Sequence, residues 1–122
     1  MASEKVLAHL EENRQRHVDQ LCDFLRIPSI SSQTEHADDI RRAAAFVADE
    51  LKELGLSVEI VETEGHPLVY AESEQRPDRR TLLFYGHYDV QPVDPLELWD
   101  NPPFEPVIKD GVVFARGACD DK

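Results

Sequence analysis

The chain is 122 residues long, 41% hydrophobic and 31% charged, an ordinary globular composition with enough length for one domain and a core of its own. Its 25 acidic residues against 13 basic ones leave a net charge of −12, which argues against a nucleic-acid or anionic-membrane surface and suits cation binding. No stretch approaches the roughly 18 consecutive apolar residues of a membrane span. The start Met1-Ala2-Ser3-Glu4-Lys5 lacks the basic-then-apolar order of a secretory signal, and Cys22 and Cys119 have no Cys-x-x-Cys spacing, so reduced thiols in a cytoplasmic protein are expected.

Ser3 is placed to cap a first helix, in which Leu7, Leu10, Val18, Leu21 and Leu25 follow helical spacing while Arg14 interrupts the stripe. Pro28 pushes Ile27 out of helical geometry and predicts a stop near Arg26. A polar link, Ser29 to Thr34, leads to a second helix marked by Ile40, Ala43, Ala44, Val47, Leu51 and Leu54, with Gly55 as its stop. Glu35, Asp38 and Asp39 suit the positive end of that helix; they need no functional role. His9, His17 and His36 read as helix-surface residues.

Leu56, Val58 and Ile60 alternate with polar residues as in a half-buried strand, and Glu64-Gly65-His66-Pro67 is a turn into a strand at Leu68-Val69-Tyr70-Ala71. After the polar connection 73–80, the run Thr81 to Tyr85 is apolar on consecutive positions, which predicts a strand covered on both faces inside a layered α/β sheet. A long connection from Tyr88 to Asp110 carries Pro92, Pro95, Pro102, Pro103 and Pro106, with Trp99 and Phe104 expected to pack it into order. Lys109-Asp110-Gly111 makes a turn, Val112 to Ala115 a short strand, and Arg116 to Lys122 a polar end.

The chemistry concentrates at the end of the 81–85 run. In an extended chain, side chains at i and i+2 share a face. Asp89 can therefore accept the second ring N–H of His87 and fix the tautomer of a metal-bound imidazole. The plainer reading is a buried histidine satisfied by a local carboxylate. Asp120 and Asp121, at the next strand exit, bring more carboxylates to what is expected to be the same edge of the sheet.

Together these motifs resemble a known family. Gly86-His87-Tyr88-Asp89-Val90-Gln91-Pro92, then Trp99 with Pro103-Phe104-Glu105-Pro106, then Asp110-Gly111 and Ala115 to Lys122, look like the di-zinc metallopeptidases related to carnosinase, aminoacylase and succinyl-diaminopimelate desuccinylase. Within them the chain is most similar to the dipeptidase branch, and Phe24 to Ser31 resembles that family's first-helix exit.

The resemblance implies an α/β fold, the N-terminal part of a layered α/β/α zinc-peptidase catalytic domain with two helices and then a mixed sheet. It makes His87 a ligand of one zinc, Asp89 the acid that orients His87, and Asp120 the carboxylate bridging two zincs, with a cis peptide after Asp120. Cobalt or manganese would also suit histidine and carboxylate donors. The implied reaction is metal-assisted hydrolysis of a dipeptide or acyl-amino acid.

In relatives the general base is the first glutamate of a Glu-Glu pair beyond the bridging aspartate. The remaining ligands and a lid domain that commonly dimerises lie there too. Residues 1–122 are accordingly expected to be an N-terminal portion without the lid and inactive alone. The alternative is a non-catalytic interaction module, or the complementing half of a split enzyme.

Overall fold

The computed structural model describes residues 2–122. In chain order these form helices α1 (Ala2–Glu12), α2 (Arg14–Leu25) and α3 (Ala37–Glu53), the hairpin β1 (Ser57–Val61) and β2 (Leu68–Glu72), and the ribbon β3 (Val107–Lys109) and β4 (Val112–Phe114). Short 3₁₀ turns at Thr34–His36 and Leu96–Leu98 lie in the connections.

The predicted first helix is two, which makes three α-helices rather than two. Asn13 separates them: its side-chain amide donates to the His9 carbonyl at 2.9 Å, the local competition for backbone groups that makes asparagine a helix breaker. Ser3 lies inside α1 and does not cap it. Val6, Leu7 and Leu10 of α1 are exposed, whereas Cys22 and Leu25 of α2 are buried. The stop after Leu25 falls where Pro28 foretold it.

The α3 helix buries Ile40, Ala43, Ala44 and Ala48. It meets α2 through Phe24 and Phe46, whose rings stack with centroids 5.0 Å apart. Gly55 ends α3 with φ +81°; Gly55 N–H donates to Lys52 O at 2.8 Å and Leu56 N–H to Leu51 O at 3.2 Å. That is the left-handed glycine stop the sequence predicts. The helix lies against β1 and β2, which pair antiparallel from Ser57↔Glu72 to Val61↔Leu68.

The α/β class holds, but the expected mixed sheet does not form. Among the described residues the strands make two separate antiparallel ribbons, and the parallel element is a single bridge between Ile30 and Val90. The run 81–85 pairs with no strand, and Leu82, Leu83, Phe84 and Tyr85 are 74 to 92% exposed. An apolar run becomes a covered strand only where neighbours supply ladder partners and two packing faces, and none of the described elements does so here.

The connection after Tyr88 is shorter than expected, because β3 starts at Val107 within it. Asp110 and Gly111 turn the ribbon with φ of 52° and 80°, the two positive values of a type I′ turn. Trp99 orders the loop by donating from Nε1 to Val93 O at 2.8 Å, beneath the Arg116 guanidinium 5.0 Å from its ring centroid.

Candidate metal centre

Ile30 and Val90, both buried, pair where the exit of α2 meets the 87–90 segment, and Leu25 and Ile27 at that exit are buried too. The chain leaves α2 through two tight turns, Ser29 N–H donating to Ile27 O and Ile30 N–H to Pro28 O at 2.8 Å each, after which Ile30 bridges Val90 and Val90 N–H donates to Ser29 O at 2.9 Å. The fully buried Ser29 hydroxyl donates to Tyr88 O at 2.6 Å. On the other side, the Tyr88 phenol donates to Pro67 O in the β1–β2 turn. The backbone carrying His87 and Asp89 is thus held from two directions.

His87 Nδ1 stands 3.1 Å from both the carbonyl oxygen and Oδ1 of Asp89. Two acceptors at one nitrogen place a proton on Nδ1 and turn Nε2 outward. There Nε2 lies 3.0 Å from Asp120 Oδ1. Burial lowers the His87 pKa, but the Asp89 carbonyl and the Asp120 and Asp89 carboxylates outweigh it, and the net shift is upward. The three side chains named from the sequence are therefore brought together as one string, Asp89 to His87 to Asp120.

Asp120 is carried by a tight loop. Gly117 has φ +89°, and a Cβ there would sit 2.9 Å from Val90 Cγ1, so only glycine lets the loop approach the 87–90 segment this closely. Lys122 N–H donates to Gly117 O at 3.0 Å. Its ammonium donates to Phe24 O at 3.0 Å and Ile27 O at 2.5 Å, over the Phe24 ring. Burial lowers the Lys122 pKa to about 8, against a small opposing effect of Asp39. The Asp120-Asp121 peptide bond is cis, as the resemblance implied. Asp121 Oδ2 turns the other way and accepts from His87 N–H at 3.4 Å.

Imidazole and carboxylate are a donor pair that zinc, cobalt or manganese accepts. With zinc–ligand distances of about 2.0 to 2.2 Å, two donors of one ion stand roughly 3 Å apart at a near-right angle, so the pair fits a shared cation. Among the described residues, however, no group of three or more His, Cys, Asp and Glu side chains converges. Cys119, beside Asp120, is a free exposed thiol. His66 is more than the turn residue the sequence suggested: its Nε2 donates to Ser31 O at 2.9 Å. Ser31 also went unnoticed as a site residue, and its hydroxyl donates to Asp89 Oδ2 at 2.5 Å.

Residues 83–122 match the profile of peptidase family M20/M25/M40. Over 115 residues the chain is 36% identical to the cysteinylglycine-S-conjugate dipeptidase of Corynebacterium striatum, covering 93% of this chain and 25% of that protein. It is 29% identical to the Cys-Gly metallodipeptidase dug1 of Schizosaccharomyces pombe, over all of this chain and 28% of the relative. The crystal structure of human carnosine dipeptidase 1 superposes with a TM-score of 0.89 at 31% identity, over 96% of this chain and 27% of that one. The chain therefore spans about a quarter of the length of the relatives it matches.

Proposed function

We propose that this chain belongs to peptidase family M20/M25/M40, whose profile its residues 83–122 match, and that it contributes the His87–Asp120 part of the metal site in a dipeptidase. On this reading residues 1–122 are the N-terminal part of the catalytic domain, and the whole protein hydrolyses the amide bond of a dipeptide or acyl-amino acid in the cytoplasm. The two unpaired cysteines suit that compartment.

The observation that carries the reading is the string at His87: Nδ1 is tied to Asp89 while Nε2 and Asp120 Oδ1 face each other at 3.0 Å. With a cation between them, His87 would offer the Nε2 lone pair, Asp89 would hold the proton on the opposite ring nitrogen, and Asp120 would supply negative charge. A divalent cation, zinc by preference and two ions in the complete site, would supply Lewis-acid polarisation of the amide carbonyl and acidification of water. Asp89 accepts the Nδ1 proton without leaving its place, so the imidazole keeps its orientation as charge develops.

Two convergent donors fall short of the roughly three protein ligands of a catalytic zinc. The 122-residue polypeptide is therefore expected to bind Zn²⁺ weakly and to turn over negligibly by itself. The test replaces the matching quarter of the Corynebacterium striatum relative with this chain and follows hydrolysis of a cysteinylglycine S-conjugate with added Zn²⁺. Metal-dependent hydrolysis that disappears in His87→Ala is the expected result. A folded chimaera that keeps full activity after His87→Ala would overturn the assignment.

A further inference from the structure

We propose that Ser31 is a positioning residue for the His87 imidazole, acting through the Asp89 carboxylate. Its consequence for metal affinity rests on the reading of His87 as a ligand; its hold on Asp89 does not. The two oxygens of Asp89 have separate partners. Oδ1 takes the His87 Nδ1 proton at 3.1 Å, and Oδ2 takes the Ser31 hydroxyl at 2.5 Å. A carboxylate on a one-carbon stem can swivel when it is held at one oxygen only. Held at both, its plane is fixed, and with it the direction in which Oδ1 presents its lone pair to the ring.

The hydroxyl is itself well placed for this task. Ile30, one residue before it, bridges Val90, one residue after Asp89, so Ser31 is locked in register with the histidine segment. Its carbonyl is held from the opposite side by His66 Nε2 at 2.9 Å. The turn that carries His66 is in turn fastened by the Tyr88 phenol on Pro67 O. Ser29, two residues earlier, donates its hydroxyl to the Tyr88 carbonyl and leaves Asp89 to Ser31. The contact spans 58 positions of sequence and joins two segments already packed together, so the hydroxyl adjusts the carboxylate without being needed to build the fold.

The test compares the wild-type chain with Ser31→Ala, Ser31→Thr and the exposed control Ser32→Ala, first checking that the amide spectra overlay away from the site. At pH 6, the His87 Nδ1 proton resonance is expected to move upfield in Ser31→Ala as its acceptor loosens. It should stay put in Ser31→Thr, which restores the hydroxyl, and in Ser32→Ala. In a Co²⁺ titration followed by the visible spectrum, Ser31→Ala should weaken binding by about tenfold or more, within the range for partners behind a metal ligand. The same substitution should change nothing further when Asp89→Asn is already present, because the effect runs through Asp89.

An unmoved Nδ1 resonance in Ser31→Ala would overturn the proposal whatever the metal does. So would an equal loss of Co²⁺ affinity in the Asp89→Asn background, which marks a general structural role. Should wild type and His87→Ala bind Co²⁺ alike, the ligand reading of His87 falls; a shifted Nδ1 resonance would in that event still uphold Ser31 as the residue that positions the ring.

Discussion

Two neighbouring stretches of this chain have opposite fates. Residues 82–85 are apolar throughout and lie open to solvent, whereas residues 87–90, with a histidine, a tyrosine and an aspartate among them, are stitched into the molecule. Hydrophobicity supplies a tendency to be buried, but only a partner with matching shape and hydrogen-bonding groups realises it. The 87–90 segment finds such partners in the exit of α2, the β1–β2 turn and the Gly117 loop. The run before it finds none among the described residues, although its composition is the more apolar.

The contrast can be broken from the crossing side first. Leu25 is fully buried at the end of α2, and Leu25→Ala is expected to cost about 2 to 5 kcal/mol, read as a lower urea midpoint with little change in slope. Gly117→Ala should follow at about 2 to 4 kcal/mol, combining a left-handed backbone with a Cβ placed against Val90; an unchanged midpoint would show that the loop is free to shift. Ser29→Ala removes a fully buried hydroxyl and leaves the half-buried Tyr88 carbonyl without its donor, and should cost about 1 to 3 kcal/mol by thermal unfolding.

At the small end, Phe84→Ser in the exposed run should change stability by less than about 0.5 kcal/mol. A loss of several kcal/mol there would mean that the run is covered in solution, and the comparison between the two stretches would collapse.

Much of this organisation is legible in local spacing. Pro28 and Gly55 end their helices where the sequence says, and Asp110-Gly111 turns the last ribbon, because each acts on its own backbone. His87 and Asp89 are readable as a pair for the same reason, being two positions apart. The break at Asn13 depends on a side chain choosing the His9 carbonyl over solvent, which a hydrophobic stripe does not record. Ser31 is invisible for a different cause: its partner is 58 residues away, and a polar link gives no sign of which carboxylate it will meet. The run 81–85 misleads because covering is a property of neighbours, not of the run.

The grip of Lys122 on Phe24 has a kinetic side. It closes a loop of 98 positions, and the pairing of His87 with Asp120 closes another of 33 inside it. Closing a loop costs entropy that grows with the logarithm of its length and must be met before the contact returns anything. The β1–β2 hairpin, paired from Val61↔Leu68 outward, assembles from much nearer neighbours. In refolding, then, the Lys122 grip is expected among the last contacts made, after the scaffold it closes over.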